Sequence, residues 1–133
     1  MAVLSKVTYK TVIIGGAHLW GMHLLNEVKV LDITQVWAGP LATMHLADLG
    51  ADVVKIERPG TGDIVRNVPP FVDGMSGYFA TVNRNKKSIT LNLKSEDGQK
   101  TFLDLAEDAD VIVENQKTGT MEKFGIDYES VCE

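Results

Sequence analysis

The stretch Val28-Lys-Val-Leu-Asp-Ile-Thr-Gln-Val-Trp-Ala-Gly-Pro40, continued by Leu41 to Gly50 and by Ala51-Asp-Val-Val-Lys-Ile-Glu57, decides the fold. Residues 28–33 alternate and carry the β-branched side chains of a strand, and Thr34 to Pro40 reads as a turn containing Gly39 and Pro40. Proline fixes the φ of a first helical turn, so Pro40 is expected to open a helix over Leu41 to Leu49, with Gly50 as its left-handed C-cap. Residues 51–57 have the apolar run of a buried strand. Two strands joined by a helix must lie parallel, so 28–57 is expected to form a βαβ unit.

Downstream, Pro59, Gly60, Gly62, Pro69, Pro70, Gly74 and Gly77 break any long helix, and 59–77 reads as an irregular surface loop of the kind that often carries function. After a polar turn at Asn83 to Lys87, Ser88 to Leu93 alternates as a strand. Ser95 is a good N-cap followed by Glu96 and Asp97, and Phe102, Leu105, Ala106 and Ala109 give the next helix one apolar face. Asp110 to Val113 supplies a further strand, and a short helix, Met121 to Phe124, ends at Gly125. There is no internal repeat and no low-complexity tract.

Upstream, residues 1–24 read as an amino-terminal extension, disordered or targeting. The first 26 residues hold Lys6 and Lys10 without an acid, as a transit peptide would, but they lack its arginines. The glycines Gly15, Gly16 and Gly21 approach a nucleotide loop, yet Met22-His23 stand where Lys and Ser or Thr would hold phosphate. As a dinucleotide fingerprint the same run fails at His18, which would block the pyrophosphate.

The 133 residues are 44% hydrophobic, which suits one globular unit, and no run approaches the roughly 18 apolar residues of a membrane span. A soluble chain is expected. The formal net charge of −5 disfavours a general grip on nucleic acid. The sign changes along the chain: residues 51–94 hold 7 basic and 4 acidic groups, whereas 95–133 hold 3 and 11. Lys55, Arg58, Arg66, Arg84, Lys86 and Lys87 make the middle third a basic island. Cations gathered at strand ends suit a ligand with several phosphates, and equally they suit a solvated turn. Asp32 and Glu57 close their strands where open α/β sheets place ligands, and either could instead cap the adjacent turn. His18, His23 and His45 have no carboxylate at ligand spacing, so no metal site is expected. The single Cys132 excludes an internal disulfide and points to a reducing compartment, the cytoplasm or alternatively the mitochondrial matrix.

The runs Val30 to Pro40, Leu46 to Gly60 and Gly62-Asp63, then Asn83-Arg-Asn-Lys-Lys-Ser-Ile89, Leu93-Lys94 and Asp110-Val-Ile-Val-Glu-Asn115, together resemble the opening of the class III CoA-transferases. That family includes formyl-CoA transferase, carnitine CoA-transferase and α-methylacyl-CoA racemase. The resemblance implies an α/β fold, a Rossmann-like parallel sheet flanked by helices, of which residues 25–133 form a partial CoA-binding domain. It implies a homodimer and transfer of CoA from an acyl-CoA donor to a small carboxylic acid. It places Val36, Trp37 and Ala38 at the thioester end of CoA and Arg58, Leu91, Asn115 and Lys123 around the nucleotide, with Lys123 standing where Arg is usual. The catalytic Asp of the family lies in a later segment, so no catalytic residue is assigned here. A CoA-binding or interaction module without that Asp is the alternative. Val68-Pro-Pro-Phe-Val72, together with Val82-Asn-Arg-Asn-Lys-Lys-Ser-Ile89, is most similar to members acting on dicarboxylic acids such as glutarate and hydroxymethylglutarate. Gln116 and Thr118 depart from the family, which usually has an aromatic residue and a proline there.

Overall fold

A computed structural model of the chain describes residues 24–132. The amino-terminal extension, its glycine run, His18 and His23 lie outside the described residues. Strand β1 spans Lys29–Asp32, helix α1 Ala38–Asp48 and strand β2 Asp52–Glu57, the expected βαβ unit. A 3-10 helix, Ile64–Asn67, and a hairpin of β3 (Phe71–Val72) and β4 (Met75–Ser76) lead into α2 (Gly77–Asn83). Then follow β5 (Lys87–Thr90), α3 (Glu96–Ala106), β6 (Val111–Val113), α4 (Thr120–Lys123) and α5 (Tyr128–Cys132).

Four strands form one sheet in the order β5-β2-β1-β6, and every pairing in it is parallel. Side chains alternate between its faces as the pleat requires. Val30 and Val53 pack with Ala47 and Ala51 on the face that α1 covers, while Leu31, Ile33 and Ile56 pack with Phe102 of α3 and with Ile126 on the other. A sheet buried on both faces by the helices that connect its strands is a Rossmann-like α/β fold.

Local chemistry sets most boundaries. Helix α1 begins at Ala38, three residues before the expected Leu41, so Pro40 occupies its first turn, where an N–H would have no partner anyway. Gly50 takes φ +105 just after the helix. The hydroxyl of Ser95 accepts from the Gly98 N–H at 3.2 Å and starts α3, and Phe102 is fully buried beneath it. Gly98 is required, because a Cβ there would lie 2.0 Å from the Asn92 carbonyl.

The segment 59–77 is more ordered than its prolines and glycines suggest. Asp63 accepts from the Val65 N–H at the start of the 3-10 helix, and Asp73 and Gly74, both at positive φ, form the two-residue turn of the hairpin. The hydroxyl of Ser76 accepts from the Phe79 N–H and caps α2, which ends at Asn83, the residue expected to open a turn. No helix among the described residues is long and apolar enough to cross a membrane.

Candidate functional site

The carboxyl ends of β1, β2 and β5 open into a cleft of about 330 Å³. Ile33, Ile56, Leu91, Leu93, Met121 and Phe124 give it apolar walls, and Thr34, Arg58, Asn92, Lys94 and Gln116 supply polar groups. Ligands of open α/β sheets bind at this end, near the point where strand order reverses. Here the reversal falls between β1 and β6. Side chains following β6 bridge it, with the Asn115 amide donating to the Gln35 carbonyl and accepting from its N–H, both at 2.9 Å, and Gln116 Nε2 donating to the Ile33 carbonyl at 2.8 Å.

The turn after β1 is fastened almost wholly by side chains. The Thr34 N–H donates to Asp32 Oδ1 at 2.9 Å, and the Thr34 carbonyl accepts from Lys55 Nζ at 2.7 Å. The Val36 N–H donates to Asp63 Oδ1 at 3.2 Å. Lys55 and Asp63 are both buried, and Lys55 Nζ lies 3.1 Å from Asp63 Oδ2, an ion-pair contact off hydrogen-bond alignment. Val36 sits at φ +73, a conformation that costs a β-branched residue about 1–3 kcal/mol. Beside it Trp37 meets Tyr78, ring centroids 4.7 Å apart at 57°.

Two buried carboxylates anchor the strand ends. Asp32 accepts from the Thr34 and Thr43 hydroxyls and from Lys86 Nζ at 2.9 Å. Burial raises its pKa, but Lys55, Lys86 and the Thr34 hydroxyl outweigh that and hold it below the usual carboxylate value. Burial lowers the Lys86 pKa from 10.5 to about 8, against the pull of Asp32. Glu57 is gripped by both arms of Arg66 at 2.6 Å, by the Ser88 hydroxyl and by the Asp63 N–H. Burial opposes its ionisation too, yet the hydrogen bonds from Arg66, Ser88 and Asp63 hold its pKa down. The Arg66 guanidinium also lies 3.7 Å from the centre of the Phe79 ring.

This geometry corrects the reading of the middle third as a cluster of cations free for phosphate. Lys55 pairs with Asp63, Arg66 with Glu57, Arg84 with Asp48, Lys86 with Asp32 and Lys87 with Asp52. Arg58 alone of the six has no carboxylate at ion-pair distance among the described residues, and it is exposed at the cleft rim.

Among the residues singled out in the sequence, Arg58 and Leu91 line the cleft, and exposed Lys123 lies on α4 between the lining residues Met121 and Phe124. Val36 and Trp37 are exposed on the turn after β1, and Ala38 starts α1. Asn115 stands apart from the cleft lining, with its amide committed to Gln35. Sequence reasoning missed Asp63 as an anchor of the turn and Gln116 as a bridge. Gly62-Asp63 before a short helical turn is the capping signal that pointed to the first.

The family model described as CoA-transferase family III matches residues 25–133. A succinyl-CoA:mesaconate CoA-transferase of Haloarcula marismortui is 55% identical over 84% of this chain and 29% of its own length. A human succinyl-CoA:glutarate CoA-transferase is 47% identical over 90% of this chain and 30% of its own length. The crystal structure of a CAIB/BAIF family protein from Brucella suis superposes with a TM-score of 0.75 at 40% identity, covering 80% of this chain and 29% of that one. The chain thus spans about three-tenths of the length of the relatives it matches. With the family model matching everything from the first turn before β1 onward, the chain belongs to CoA-transferase family III.

Proposed function

We propose that this chain forms the CoA-binding α/β portion of an enzyme that moves CoA from an acyl-CoA donor to a carboxylic acid. The observation that carries the reading is the apolar cleft at the carboxyl ends of the parallel strands, with Arg58, which has no carboxylate partner among the described residues, on its rim. An adenosine suits the apolar walls, and a phosphate suits Arg58 through short charge-assisted hydrogen bonds. In this reading Arg58, Leu91 and Lys123 surround the nucleotide, while Val36, Trp37 and Ala38 approach the thioester. Asn115 acts through Gln35, whose backbone it holds. Relatives named for mesaconate and glutarate support a dicarboxylic acceptor. Exposed Ile64, Phe71 and Val72 support a homodimer for the complete enzyme, and the lone cysteine supports a reducing compartment, cytoplasm or mitochondrial matrix.

A covalent route would place the acyl group and then CoA on a carboxylate. Glu57 and Asp63, which border the cleft, are both held in ion pairs, so neither is poised as that nucleophile. This favours, as a second reading, a CoA-binding module without catalysis of its own, which turnover by this chain alone would exclude. Titration calorimetry with CoA tests the common part of both. Arg58→Ala is expected to weaken CoA by about ten- to a hundredfold and to flatten the salt dependence, whereas Lys100→Ala, on the exposed side of α3, leaves affinity unchanged. Equal affinity for Arg58→Ala and the parent would overturn the reading.

A further inference from the structure

Resting on the CoA reading above, we propose that Asp63, through its buried pair with Lys55, is a positioning residue that holds the Thr34–Val36 turn in the shape that receives the thioester end of an acyl-CoA. Four groups close a ring: the Thr34 carbonyl, Lys55 Nζ at 2.7 Å, Asp63 with its Oδ2 3.1 Å from that nitrogen, and the Val36 N–H at 3.2 Å from Oδ1. The ring grips one turn at two points two residues apart. It therefore fixes the torsions between them, including the positive φ of Val36.

Packing does not explain this arrangement. Val36 is 45% exposed, so its own burial repays little of the cost of its conformation, and a fully buried ion pair is a costly way to hold a residue at the surface. What the ring secures is the direction in which the backbone and side chains of Val36 and Trp37 face out of the protein. Strain kept in place by buried charges at the mouth of a ligand cleft is the pattern of a preorganised contact. Asp63 also receives the Val65 N–H at 3.2 Å, so the same carboxylate ties the turn after β1 to the 3-10 helix that follows β2.

The test uses the 133-residue chain carrying Trp20→Phe, which leaves Trp37 as its one tryptophan. Asp63→Asn keeps the shape and removes the charge. We expect it to shift Trp37 emission to the red and to weaken succinyl-CoA about tenfold. Adenosine 3′,5′-bisphosphate, which lacks the thioester arm, should bind within about twofold of the parent. In a Val36→Gly background, where glycine adopts positive φ without strain, Asp63→Asn should cost clearly less succinyl-CoA affinity than it does in the parent. If Asp63→Asn does not fold, Lys55→Met with Asp63→Asn removes both charges and takes its place. Unchanged Trp37 emission with unchanged succinyl-CoA affinity, equal losses for both ligands, or an equal cost of Asp63→Asn in the parent and Val36→Gly backgrounds would each overturn the positioning role. A parent that binds neither ligand would instead overturn the CoA reading itself.

Discussion

The turn after β1 and the turn after β2 face the same cleft and are secured in opposite ways. After β1 the backbone is the object held: Asp32 from the end of the strand itself, and Lys55, Asp63 and Asn115 from elsewhere, bind its N–H and carbonyl groups. After β2 the carboxylate of Glu57 is the object held, by Arg66, Ser88 and the Asp63 N–H, while Arg58 stays out of the network. Gly62 allows the second arrangement, since a Cβ there would lie 2.8 Å from Glu57 Oε2. Fastening a backbone fixes where a surface faces; fastening a side chain leaves its neighbour free to meet a ligand.

The comparison breaks most sharply at the two anchors. Asp32→Asn leaves Lys86 buried without its countercharge, and removing one partner of a buried pair costs about 3–5 kcal/mol, so a large drop in melting temperature is expected. Glu57→Gln should cost less, about 1–2 kcal/mol, because Arg66 is 37% exposed and water screens what the substitution uncovers. Equal losses in thermal melts of the two variants would erase the distinction.

Acid sharpens it. The folded pKa values of Asp32 and Glu57 lie below their ordinary values of 3.8 and 4.5, so their contributions are fully present above those values and are lost as the pH falls below them, through the folded pKa values. The gap in melting temperature between parent and Asp32→Asn should therefore hold near neutral pH and narrow below about pH 4. At the alkaline end Lys86 gives a slope of the same sign. The fold gives up that proton near pH 8 and the unfolded chain near 10.5, so between these values unfolding takes up a proton and this group's contribution to stability grows with pH. Unfolding enthalpies measured at pH 9 in buffers of different ionisation heat would reveal the uptake in the parent and its loss in Lys86→Met. The smallest effect is expected from Lys87→Ala: its pair with Asp52 is exposed on both sides and should change stability by no more than about 0.5 kcal/mol, read in denaturant melts.

What could be read in the residues follows from distance along the chain. The unit from β1 to β2 is legible because its β-branched runs and Gly50 act locally, and α3 because Ser95, Glu96 and Phe102 do. The hairpin and α2 are masked by the surrounding prolines and glycines, which read as breakers, although Asp73-Gly74 and Ser76 carry the turn and the cap. The cations mislead for a different reason. Arg84 finds Asp48 across 36 residues and Lys86 finds Asp32 across 54, partners that no local pattern can nominate. Arg58 stands out both in the charge pattern and in the family resemblance, Leu91 in the resemblance alone, and the bridge from Gln116 to Ile33, across 83 residues, in neither.

The strand order carries a consequence for biosynthesis. Strand β1 lies inside the finished sheet, yet its second neighbour, β6, is aligned Val30 to Val111, 81 residues later. At about 5–20 residues per second, the ribosome leaves one edge of that strand without its partner for roughly 4–16 seconds. During that interval the nascent chain presents open hydrogen-bonding groups of the kind that recruit foreign strands, and arrival of the segment from Asp110 to Gln116 ends the exposure.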